Sequence, residues 1–67
     1  MKRLEVRTFE QTTSGLVRAE AFKRSLREDG VLSASVRLGG VTRTGQAVVV
    51  VEIGSGDWER CKEVMGF

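Results

Sequence analysis

The 67-residue chain has no histidine, proline or tyrosine and only one cysteine. Without histidine, acid–base chemistry near neutral pH would fall to a carboxylate or lysine with a shifted pKa, and such shifts need a deep pocket. A chain this short buries only about 60% of the surface of its unfolded state and rarely encloses one. Motifs for nucleotides and metals are also missing. We therefore expect one domain, residues 1–67, that is not an enzyme and has no catalytic residue, metal or cofactor.

The single cysteine and the short apolar runs indicate in which cellular compartment we expect the protein. Cys61 has no partner for an internal disulfide, which favours a reducing environment. The longest valine run, Val48–Val51, is far too short to span a bilayer, and Glu5, Arg7 and Glu10 interrupt any apolar leader. The sequence therefore predicts a soluble, cytoplasmic protein with no membrane partner.

Hydrophobic periodicity predicts the first strand and the first helix. A strand is expected over Lys2–Glu10, with Leu4, Val6 and Thr8 facing the core and Arg3, Glu5, Arg7 and Phe9 on the other face. Thr13 or Ser14 is the expected cap of a helix that runs to about Glu28 and stops at Gly30. Its apolar stripe is Leu16, Ala19, Phe22 and Leu26.

The second half of the chain predicts a hairpin and a short helix. Strands are expected over Val31–Leu38 and Gln46–Ile53, the first with Leu32, Ala34, Val36 and Leu38 inward. A final helix carries the apolar stripe Trp58, Cys61 and Met65 and ends at Gly66. The fold class is therefore α+β, with a two-layer β-α-β-β-α order and both helices on one face of a three-stranded sheet.

A turn at Thr44-Gly45 would set the register of the hairpin. It places Arg37 opposite Glu52 and Val41 opposite Val48. Three valines would then share the open face, away from the helices: Val41, Val48 and Val50. A bulge at Gly39-Gly40 is the alternative, and it would invert the facing of the residues nearer the turn.

The open-face valines predict an interface. Burying one valine is worth roughly 1.5–3 kcal/mol, so a partner could recover several kcal/mol there. The predicted protein interface is Val41, Val48, Val50, Arg37 and Arg43. The alternative is that valine is simply a good strand residue whose exposure is tolerated. We expect a non-catalytic interaction or regulatory module that forms a homodimer or binds a hetero-partner.

A set of arginines predicts a second possible use of the same face. Nucleic-acid contact would involve Arg3, Arg7, Arg37 and Arg43. The net charge of +2 is too small to indicate nucleic-acid binding by itself, and on the predicted strands only Phe9 is expected among these arginines as an aromatic platform. A solvated face, with Arg37 paired to Glu52, is the alternative.

Overall fold

The structure, a computed structural model, describes residues 2–66. The element bounds are β1 (Arg3–Glu10), α1 (Thr13–Glu28), β2 (Ser35–Val41), β3 (Ala47–Gly54), a 3₁₀ turn (Ser55–Asp57) and α2 (Trp58–Met65). β3 lies between β1 and β2 and pairs antiparallel with both. The predicted α+β class and element order are confirmed.

The core lies between the helices and one face of the central strand. Val49, Val51 and Ile53 alternate along β3 and are fully buried. The same buried cluster includes residues from both helices, namely Ala19 and Leu26 of α1 and Cys61 of α2. Because alternate residues of a strand share a face, both helices pack on the Val49 side of the sheet. We call this the helix side and the other the open face.

The cap of α1 lies one residue before the first of the two predicted cap positions. The hydroxyl of Thr12, not that of Thr13 or Ser14, accepts a hydrogen bond from the amide of Gly15 at 3.0 Å. Gly15 is buried because the first turn presses against the end of β1: a Cβ at this position would lie 1.8 Å from the carbonyl oxygen of Glu10. Only glycine fits there.

The end of α1 and most of its stripe match the prediction. The helix ends at Glu28, and Gly30 takes a left-handed φ of 100°. Along the stripe, Ala19 and Leu26 are buried and Phe22 is half-buried against the core, but Leu16 is 42% exposed.

Residues 31–34 form a turn, so the predicted strand over Val31–Leu38 is wrong in its first half. The Val31 amide donates to the carbonyl of Leu26 at 2.9 Å, and the Ala34 amide donates to Val31 at 3.3 Å. Val31 and Ala34 are buried, but Leu32 is 70% exposed, not inward as predicted. The regular strand begins only at Ser35.

A bulge at Val6 inverts the second half of β1. The register shifts between Glu5 and Arg7, after which the pairs are Arg7 with Val51, Thr8 with Val50 and Phe9 with Val49. Paired side chains lie on the same face, so Arg7 and Phe9 are on the helix side and Thr8 is on the open face. The predicted facing of these three residues is wrong.

The hairpin loop is one residue longer than predicted. The amide of Thr42 donates to the carbonyl of Gln46 and the amide of Gly45 donates to Thr42, both at 2.9 Å. Gly45 has a left-handed φ of 84°. This is a three-residue connection with glycine in the left-handed position, not a two-residue turn at Thr44-Gly45.

A second bulge, at Gly39, shifts the pairing of β2 again. The pairs are Ser35 with Glu52, Val36 with Val51, Arg37 with Val50, Leu38 with Val49, Gly40 with Val48 and Val41 with Ala47. The predicted backbone pairs Arg37–Glu52 and Val41–Val48 are therefore wrong, but the expected ion pair between the side chains of Arg37 and Glu52 is present, with Nε and the carboxylate 2.7 Å apart. Val41 lies on the helix side with Ala47, which is the inversion that the bulge alternative predicts.

Candidate protein interface

The open face is covered largely by the chain itself. Val50 is only 2% exposed, and Val48 is partly buried. A Cβ added to Gly39 would lie 2.4 Å from Cγ2 of Val50 and 3.0 Å from Cγ2 of Val48, so the bulged backbone lies directly on these side chains. With Val41 on the helix side, the three valines do not form one exposed apolar surface.

A charge network covers the other end of the open face. Glu52 accepts from Nε of Arg37 at 2.7 Å and from Nε of Arg3 at 3.2 Å. Arg37 also reaches Glu5 of β1 at 2.7 Å, so its side chain crosses β3 from one edge strand to the other. The hydrogen bond from Arg37 lowers the pKa of Glu52, and the same bond raises the pKa of Arg37.

Two of the four candidate nucleic-acid arginines are held by this network. Arg3 also donates to the carbonyl of Ser33 at 3.0 Å and to the hydroxyl of Ser35. Arg7 lies on the helix side and Arg43 lies in the hairpin loop, so the structure does not bring the predicted set together on one face.

A serine ties the end of the sheet to the start of α2. The hydroxyl of Ser33 accepts from the amide of Gly54 at 2.9 Å and donates to the carboxylate of Asp57. The Ser33 amide donates to the same carboxylate at 3.1 Å. These two bonds lower the pKa of Asp57. The amide of Gly54 is thus already hydrogen-bonded where the 3₁₀ turn begins.

The edge strand β2 carries two exposed apolar side chains: the sequence placed Leu38 on the correct face but expected it in the core, and it placed Val41 on the wrong face. Leu38 is 66% exposed and Val41 is 69% exposed, although both lie on the helix side of the sheet. Leu16 lies 60° around α1 from the buried Ala19, on the opposite flank from Phe22. Phe22 contacts Phe9 of β1, so Leu16 is on the flank toward β2. The exposed apolar side chains of β2 itself are therefore Leu38 and Val41.

Among residues 2–66, no strand lies against the outer edge of β2, where the carbonyl of Leu38 accepts a hydrogen bond from Nη1 of Arg37 at 3.3 Å. Thr42 bonds Gln46, and hydrogen-bonded and non-bonded pairs alternate in an antiparallel ladder. The neighbouring pair, Val41 and Ala47, is therefore non-bonded, and the N–H and C=O of Val41 point away from β3. Sequence alternation placed Leu38 inward correctly but could not show that the helix layer stops short of it.

No group of three or more metal-ligating side chains comes together within residues 2–66. Within the same range, no helix has the length and apolar character needed to cross a membrane. Comparisons with known proteins find no matching family model, no matching curated protein and no matching solved structure.

Proposed function

We propose that the protein is a non-catalytic protein-interaction module that associates with a second copy of itself through the outer edge of β2. One observation carries the proposal: the uncharged run Leu38–Val41 lies on a free sheet edge with both of its large side chains more than 60% exposed. Free edges are normally protected by charge, proline, a bulge or cover. β2 has the bulge at Gly39, but its one charge is paired and its apolar side chains are exposed, and such an edge can pair with another strand.

The other edge strand lacks this character. β1 carries charged residues along its length, at Arg3, Glu5, Arg7 and Glu10. In β2, Arg37 is the one charged residue, and its charge is balanced by Glu52 and Glu5. Pairing at β2 therefore buries apolar side chains without leaving a charge unpaired.

A two-fold antiparallel pairing about Leu38 fits this edge. It places Leu38 against the same residue of the partner copy and Arg37 opposite Gly39, so the two copies of Arg37 do not face each other. The product is a six-stranded sheet with the helices of both copies on one side. Three residues of the sequence-predicted interface lie on β2 or its loop, namely Arg37, Val41 and Arg43.

Replacing Leu38 by lysine tests the proposal. We expect sedimentation equilibrium over a range of concentrations to show a dimer for the parent and a dissociation constant raised about tenfold or more for Leu38→Lys, since burying a lysine at the paired edge costs over 1.4 kcal/mol. Leu32→Lys is the matched control, because Leu32 is equally exposed but outside the strands.

Val48→Thr separates β2 pairing from association through the open face. Pairing at β2 predicts an unchanged dissociation constant, and open-face association predicts a weaker dimer. A parent that remains monomeric at all concentrations, or equal weakening by Leu38→Lys and Leu32→Lys, would overturn the proposal.

A further inference from the structure

The opposite edge of the sheet has a groove of a different character. It encloses about 580 Å³ between β1 and α1. The strand side is formed by residues 7–10, and the helix side includes Gly15, Arg18, Ala21 and Phe22. Side chains of consecutive strand residues point to opposite faces of the sheet. The part of residues 7–10 that all four present to the groove is therefore the outer edge of the strand backbone.

Arg7 is held in place over this groove. Its guanidinium carbon lies 5.3 Å from the ring centroid of Phe9 and 5.6 Å from that of Phe22, within the range of a cation–π contact. The two rings contact each other, with centroids 5.9 Å apart. Arg18 stands on the helix wall of the groove. Among residues 2–66, neither arginine forms an ion pair with a carboxylate.

The edge backbone beside these arginines is free to bond. The amide of Gln11 donates to Ala47 at 3.1 Å, so alternation along the ladder directs the backbone groups of Thr8 and the amide of Glu10 outward. The carbonyl of Glu10 is covered by Gly15, which closes this end of the edge. The side chain of Glu10 belongs to the open face, because Glu10 pairs with Val48, and so lies across the sheet from Arg7.

We propose that this groove binds an extended acidic segment of another protein, which adds to β1 as a fourth strand. The backbone groups of Thr8 and the amide of Glu10 hold the strand, and Arg7 and Arg18 bind carboxylates that project to the helix side. The bound segment therefore needs acidic residues at alternate positions, because every second side chain of the added strand lies on the helix side of the sheet.

A capped peptide of alternating valine and glutamate is the probe. Titration followed by amide chemical shifts is expected to give saturable changes at residues 7–10 and along the facing side of α1. The same peptide with lysine in place of glutamate is expected not to bind. The glutamate peptide with a methylated backbone is expected to bind at least about tenfold more weakly, because methylation removes the amide donors that bond the edge of β1.

Arg18→Gln tests the carboxylate contact on an exposed helix position. We expect it to weaken the glutamate peptide about two- to fivefold, the range of a partly exposed ion pair. Arg43→Gln is the control on a distant exposed arginine and is expected to have no effect. Equal binding of the methylated peptide, or saturable changes from inorganic phosphate with none from the peptide, would overturn strand addition. The result is independent of dimer formation, which involves β2.

Discussion

At the scale of the residue, Gly15 controls how α1 meets the sheet. A side chain at this position would clash with the carbonyl oxygen of Glu10. Glycine lowers helix stability by about 1 kcal/mol relative to alanine, so its presence inside the first turn has to be explained by the close approach. The helix propensity of the sequence gives no hint of this contact.

We predict that Gly15→Ala destabilises the protein although alanine is the better helix former. A Cβ 1.8 Å from an oxygen forces the first turn away from β1, at a cost of about 1–3 kcal/mol in the free energy of unfolding. Urea denaturation followed by circular dichroism measures it. Gly56→Ala is the matched control, since no atom lies within 4 Å of a Cβ there, and it should change stability by less than about 1 kcal/mol. Equal stability of both variants would show that the contact is not close.

At the scale of the element, the two bulges explain most of what the sequence could not reveal. Apolar alternation identified all three strands and the helical spacing identified both helices. A bulge adds one residue and leaves the alternation intact on either side of it, so only the pairing shows that Arg7, Phe9 and Val41 have changed face. The candidate interface depended on that facing and was therefore predicted less well than the fold.

The start of α1 offers a test at the same scale. We predict that Thr12→Ala lowers the free energy of unfolding by about 1 kcal/mol, because the amide of Gly15 loses the hydroxyl that it bonds. Thr13→Ala, one residue inside the helix, should change it by less than about 0.5 kcal/mol. Chemical denaturation of both variants side by side gives the comparison. The cap assignment is wrong if Thr13→Ala proves the more costly change.

At the scale of the whole molecule, stability depends on a thin core shared by every element. Among residues 2–66, eight buried residues from both helices, the loop before β2, and β3 form the core cluster, and partly buried side chains of β1 and β2 pack against it. In so small a domain, local loss of one element exposes the rest of the core, so we expect unfolding in a single cooperative step. Cys61 reports on this, because it is fully buried in the core on α2.

We predict that Cys61 reacts with a thiol reagent only through global unfolding. Burial raises the pKa of its thiol, and the charge of Asp57 acts in the same direction, which disfavours the reactive thiolate. Labelling of the native protein should be about a thousandfold slower than labelling of the unfolded chain. Its rate should rise over the same range of urea concentration in which the tryptophan fluorescence changes. Ser55→Cys in a Cys61→Ala background is the exposed control. Fast native labelling of Cys61 would mean that α2 opens separately.

The double contact of Glu52 has a consequence for how the sequence can evolve. One carboxylate serves two arginines that come from opposite edge strands and lie far apart along the chain. Losing Glu52 alone would leave Arg3 without a carboxylate and Arg37 with Glu5 only, whereas losing either arginine leaves Glu52 paired with the other. We therefore expect substitutions at positions 3 and 37 to be accepted before a substitution at position 52. A homologue with a neutral residue at position 52 should also lack at least one of the two arginines.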